Sequence, residues 1–239
     1  MFPTIVNCFT VIIGSLLGLV IKDKINDNFK EVISISAGLS TFVIGLSMAL
    51  QTQSYLILLF SLVIGGLLGY ALRIEDKILA VGKFLESKTA KGKKGTSTFS
   101  YGFLNASVLF CSGAMSIVGS IHAGTVGDYQ IILVKSVLDG SMAIVFSAAY
   151  GIGVMFSAIT ILVYQGFFTL AGSYLSPLLG EAGLTELSSS GGLLIMMIAL
   201  SLLDLKKIKT GNFLLSMFIA PLLVAISPYI TKFIPLLAS

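Results

Sequence analysis

Apolar residues run through this chain in long blocks, at about 3–21, 33–51, 55–73, 99–121, 129–150, 151–176, 190–204 and 212–229, and charged residues gather between them. A bilayer core is about 30 Å thick and takes roughly 20 apolar helical residues to cross. The pattern therefore predicts about eight membrane-spanning helices, or seven if the short block at 190–204 does not cross. Gly140 to Gly180 passes without a charge. At ~1.5 Å per residue that run is roughly twice a bilayer core, so it must turn. Tyr150-Gly151-Ile152-Gly153 is the place the sequence offers. The predicted fold class is all-α: a polytopic transmembrane helical bundle forming one integral membrane domain over 1–239.

The polar connections set an orientation. With the connections after the first, third, fifth and seventh spans on one side, that side takes every basic residue except Lys135, inside a span, and Lys232. The opposite connections carry QTQS, His122, Asp128, Glu181 and Glu186. By the positive-inside rule the basic loops are cytoplasmic and both termini lie outside. One connection is longer. IEDKILAVGKFL, residues 74–85, alternates apolar and charged residues at helical spacing and runs into a basic, glycine-containing stretch. This predicts a cytoplasmic amphipathic helix and basic loop over 74–97, held at the surface by anionic lipid.

An internal repeat shows in the same blocks. Gly14-Ser15-Leu16-Leu17-Gly18 is echoed by Gly65-Gly66-Leu67-Leu68-Gly69, and Asp23-Lys24-Ile25 by Asp76-Lys77-Ile78. Each copy is followed by a span with a central glycine, Gly45 in one and Gly113 in the other. The chain then divides into repeated helical hairpins at 1–53 and 54–122, with the remaining spans at 123–239. The seventh span echoes the same core and could be an inverted third copy. Glycines four apart suit helices that approach closely, so packing alone is the plainer account of the repeat, and a transporter-like repeat interface the functional one.

Composition narrows the class. Of 239 residues, 56% are hydrophobic and only 11% charged, with mean hydropathy +1.00, against about 25% charge in a soluble domain. The net charge of +4 sits in loops and reads as orientation on the membrane, not as nucleic-acid binding. Cys8 and Cys111 lie in apolar runs without a CxxC or a histidine neighbour, so packing is expected rather than a disulfide or metal site. The opening MFPTIVNCFTVIIGSLLGLVI lacks a basic leader region and reads as a first span rather than a cleaved signal.

The chemistry concentrates in DYQIILVKSVLDGSMAIVFSAAYG, residues 128–151. It holds Lys135 and Asp139, four apart and so on one helix face. Charge at bilayer depth costs about 2.5–3.5 kcal/mol per group even on a lenient scale, so such residues face a partner or a wet cavity. Three readings stand: a structural ion pair, a lysine snorkelling outward, or a binding site in which Lys135 competes with a cation or proton for Asp139. Asp139-Gly140-Ser141 can also cap a fresh half-helix, which would break the fifth span at bilayer depth. Asn7, Asn105, Ser107, Ser112, Ser116 and Gln165 are the other polar residues at depth, where an amide must find a partner. Interhelical bonding explains each alone; a shared polar lining would explain them together. Ser136 adjoins Lys135, but neighbours on a helix diverge, which argues against a Ser–Lys dyad. His122, the only histidine, is expected in a solvated outer loop. No HExxH, GxSxG, Walker or Rossmann pattern appears, so no enzyme, cofactor or metal is expected.

At Phe110-Cys111-Ser112-Gly113-Ala114-Met115, Lys135-Ser136-Val137-Leu138-Asp139-Gly140 and Tyr164-Gln165-Gly166, with Thr4-Ile5-Val6-Asn7 and Lys209-Thr210-Gly211-Asn212, the sequence resembles the YdfK/YqgA-like family of bacterial inner-membrane proteins of unknown function. The resemblance covers nearly the whole chain. It implies a polytopic protein of the bacterial plasma membrane, a transporter or sodium pump, and places His122 where relatives carry Gln. The expected function is a secondary transporter for an ion or small solute, with Asp139, Lys135, Asn7, Asn105, Ser112, Ser136 and Gln165 forming the site. The alternative is a membrane scaffold or accessory subunit with a structural Lys135–Asp139 pair. Expected partners are the lipid bilayer and an unidentified ion or solute, with a homo-oligomer open and no nucleic acid.

Overall fold

The computed structural model describes residues 1–24, 27–89, 97–111 and 114–233. Among them are nine α-helices and no strand: α1 (Phe2–Lys24), α2 (Asp27–Ala49), α3 (Tyr55–Ala71), α4 (Ile74–Thr89), α5 (Ser97–Cys111), α6 (Ala114–Thr125), α7 (Gln130–Tyr150), α8 (Ser157–Leu202) and α9 (Leu215–Phe233). Short 3₁₀ turns at Ile152–Phe156 and Thr210–Phe213 lead into α8 and α9. Five helical segments are long and apolar enough to cross a membrane, and seven if α3 with α4, and α5 with α6, each count as one bent span. The remaining expected span falls on α2, whose apolar described part is Gly38–Ala49.

The interior combines an apolar core, with Phe110, Phe146, Ile161 and Ile198 fully buried, with small and polar residues, while many large apolar residues face outward. On α7 the buried face holds Lys135, Ser136, Asp139, Gly140 and Ala143, while Val134, Val137 and Leu138 are exposed. On α1, Thr4, Asn7, Val11 and Ser15 are buried, and Phe2, Phe9, Ile13, Leu16 and Val20 face outward. Both stripes keep three- and four-residue spacing, so each helix turns its small and polar residues inward beside a few apolar ones, Val11 on α1 and Ile132 and Phe146 on α7, and presents its other large apolar residues outward.

Glycines set the contacts. A Cβ on Gly14 would run into the carbonyl oxygen of Gly140, and one on Gly18 into that of Ile144. α1 therefore lies along α7, and parallel to it. Gly38 meets Leu203 and Gly45 meets Met196, which sets α2 antiparallel to the second half of α8. Gly65 meets Ser216 and Gly69 meets Asn212, so α3 and α9 are antiparallel. Ser107 bonds Thr160 and Gly172 meets Ile121, so α5–α6 runs parallel to the first half of α8.

The reversals follow local chemistry. Gly151 caps α7 with φ 86°, where the sequence predicts the turn. Gly180, at φ 61° and ψ 173°, folds α8 into two antiparallel halves in a backbone region only glycine enters freely. α3 and α4 meet at 58°, with Arg73 at φ 51° between them. α4 thus leaves the bundle direction as the predicted amphipathic helix, although residues 90–96 of the expected basic loop lie outside the described residues. Arg73, α4 and Lys206–Lys209 mark the basic end; the 50–54 connection and Gly180 mark the opposite end.

Three expectations change. The fifth span is unbroken: α7 runs from Gln130 to Tyr150. Asp139 is engaged elsewhere, the Ser141 hydroxyl bonds the Val137 carbonyl one turn back, and Gly140 is held against Thr10, so no fresh helix cap forms. The seventh span is longer than 190–204, because helix resumes directly after Gly180 and takes in Glu181 and Glu186. α6 also extends through His122 to Thr125, placing an exposed His122 in a helical last turn rather than a loop.

Candidate functional site

The helical periodicity of α7 brings Lys135 and Asp139 together, and close α1–α7 packing adds Asn7. Lys135 Nζ lies 2.7 Å from Asp139 Oδ1 and 2.5 Å from Oδ2. From α1, Asn7 Nδ2 donates to Asp139 Oδ2 at 3.0 Å. Lys135 is 6% exposed, Asp139 7% and Asn7 0%, so the pair is a neutral unit sealed within the bundle, not a snorkelling lysine. Both carboxylate oxygens are engaged. Asn7 Oδ1 has no hydrogen-bond partner among the described residues.

The other predicted residues divide. The Ser136 hydroxyl bonds the Ile132 carbonyl of its own helix, so it does not serve Lys135. Gln165 is fully buried and donates to Ser116 Oγ at 3.2 Å, tying α8 to α6. Ser107 donates to Thr160 Oγ1 at 2.9 Å and lines an apolar cavity of about 340 Å³ beside Tyr164 and Met217. Asn105 is hydrogen-bonded to Tyr150 and lines a second cavity of about 570 Å³ at the basic end. Ser112 lies outside the described residues. Of the expected lining, Asn7 joins the Lys135–Asp139 pair, and Asn105 belongs to a different cavity.

Two buried carboxylates escape sequence reading. Glu186, expected in an outer loop, is 1% exposed on α8. It accepts from the Thr52 hydroxyl at 2.9 Å and 2.7 Å, from Gln53 N at 2.6 Å and from Ser54 N at 3.2 Å. Ser54 caps α3 through Ile57 N, so Glu186 sits over a helix N-terminus, where a negative charge is stabilised. At the basic end Glu75 is 2% exposed. Its backbone N–H donates to Asn212 Oδ1, and its carboxylate accepts from Gly211 N, both at 3.0 Å. Burial pushes the Glu75 carboxyl above the ordinary glutamate range, against the pull of the Gly211 N–H and of Lys209. The cue for Glu186 was Glu186-Leu-Ser-Ser-Ser-Gly-Gly, a glutamate beginning a small-residue helix face, opposite the donor-rich Gln51-Thr-Gln-Ser.

The site's owner can now be placed. The family described as "Protein of unknown function (DUF554)" matches residues 2–225. The chain is 31% identical to "Uncharacterized membrane protein YdfK" of Bacillus subtilis (strain 168) over 229 residues, 94% of this chain and 96% of that one. It is 25% identical to "Uncharacterized protein YqgA" of Escherichia coli (strain K12) over 217 residues, 90% and 92% respectively. No solved structure matches. The resemblance carried by the motifs around Cys111, Asp139 and Gln165 holds, the helices fit a membrane, and this all-helical membrane protein belongs to the DUF554 family.

Proposed function

We propose that this protein is a secondary transporter for an ion or small solute in the bacterial plasma membrane, with the basic end cytoplasmic and both termini outside. One observation carries the reading: a buried Lys135–Asp139 pair near the middle of α7, met by an amide from α1. Apolar residues of equal size would fill that place at no electrostatic cost, and replacing a buried ion pair in this way is often neutral or stabilising. Charge retained at such depth fits a site that a solute or proton visits. Asn7 lies in the 1–53 unit and the pair in the 123–239 unit, so movement of one unit against the other would expose and cover the carboxylate in turn. The repeated glycines at 14–18 and 65–69 supply the smooth faces that such movement needs. This reading makes the protein no enzyme.

A second reading has its own support. Lys135 and Asn7 already occupy both Asp139 oxygens, as in a structural clamp within a scaffold or accessory subunit. Thermal unfolding of the purified protein across ions, pH values and small metabolites separates the two, because a ligand bound only to the folded state raises apparent stability. Transport predicts a selective upward shift for wild type that Asp139→Asn abolishes. The scaffold reading predicts no selective shift, with Asp139→Asn less stable in every condition.

A further inference from the structure

The cavity of about 570 Å³ at the basic end lies among the start of α4, α5, the end of α7 and the segment after α8. Lys207 and Lys209 stand exposed at it, and Tyr101, Tyr150 and the nearly buried Asn105 reach in from α5 and α7. Except for Glu75, these side chains bring donors. Glu75 is turned to Gly211 N, and two lysines against one carboxylate leave the cavity positive. Among the described residues Lys207 has no carboxylate partner.

The segment bearing the lysines is fixed at both ends. The Ser201 hydroxyl bonds the Lys206 carbonyl at 3.2 Å and accepts from Ile208 N at 3.5 Å. Beyond Lys209, Gly211 and Asn212 hold Glu75. Attraction of loop lysines to a membrane surface requires neither an anchored loop nor a buried amide and phenol behind it.

We propose that this cavity binds an oxyanion, the phosphate or carboxylate group of a small solute or of a lipid headgroup, with Lys207 and Lys209 neutralising its charge and the Tyr101 and Tyr150 hydroxyls and Asn105 receiving its polar body. Ammonium and hydroxyl donors suit the dispersed charge of an oxyanion, and charge-assisted bonds of this kind are the stronger ones. The site stands apart from Asp139 and does not depend on how that residue is used.

Lipid-free protein in detergent is titrated with inorganic phosphate, against chloride at matched ionic strength, by calorimetry and thermal unfolding. Protein in nanodiscs rich in phosphatidylglycerol is compared with protein in phosphatidylcholine alone, to detect a headgroup. The expected result is saturable binding in at least one arm, weakened roughly tenfold by Lys207→Gln or Lys209→Gln. Binding in the first arm alone assigns a soluble anion; binding in the second alone assigns a headgroup. Both lysines are exposed, so the variants keep the fold. No saturable binding in either arm, or binding that both variants leave unchanged, overturns the proposal.

Discussion

Asp139 and Glu186 are both buried carboxylates on long helices of the same bundle, and they are held by opposite means. Asp139 faces a cation from its own helix and one amide from across a helix contact. Among the described residues Glu186 faces neutral donors, two backbone N–H groups and a hydroxyl, all from the connection between α2 and α3. The first arrangement is neutral as a unit, with the cation supplied by the same helix. The second depends on a loop staying closed over the helix, and functions as a latch at the end opposite the lysines. Buried charge is therefore held in two ways here: by a side-chain cation on the same helix, and by donors that are mostly backbone.

Breaking the centre gives the largest effect. Lys135→Met leaves Asp139 buried without a cation and is expected to lower stability by about 3–5 kcal/mol, read as unfolding in detergent. The double variant Lys135→Met, Asp139→Leu recovers most of that loss, because no lone charge is left. Breaking the latch costs less. Glu186→Ala leaves the Gln53 and Ser54 N–H groups and the Thr52 hydroxyl without their acceptor, at about 2–3 kcal/mol. It also speeds proteolysis within 50–54 under conditions where the protein as a whole stays folded. The smallest effect sharpens the comparison with a third carboxylate. Glu75 has its carboxyl raised by burial, so its contribution is full below the unfolded glutamate value of about 4.3. That contribution is lost as pH rises through the higher folded value. Glu75→Gln keeps an acceptor for Gly211 and removes this segment of the pH profile.

How much of this was legible depends on spacing. Lys135 and Asp139 are readable because they stand four apart in an otherwise apolar block. The α1–α7 contact shows only as Gly14 and Gly18, with no sign of the partner helix, so that Asn7 would meet Asp139 and Asn105 would not could not be read. Gln165 and Ser116 looked like members of the same lining and instead bond each other, since depth in the membrane is written in sequence and azimuth around the bundle is not. Glu186 was hidden by the hydropathy of its neighbours. A glutamate beside small polar residues resembles a loop until the loop that receives it is known. The break that Asp139-Gly140-Ser141 could have made does not form because capping needs a free carboxylate, and this one is held by Lys135 of the same helix and Asn7 of α1.

The pairing of α1 with α7 also orders events in time. Gly140 follows Gly14 by 126 positions in the chain, so at roughly 5–20 residues per second the first helix waits about 6–25 s during synthesis for the surface it will pack against. During that interval Thr4, Asn7 and Ser15 have only lipid or provisional neighbours, a burden that uncharged groups can bear. The charges are carried by the helix that arrives second, and Asn7 is already in the bilayer when Lys135 and Asp139 enter it.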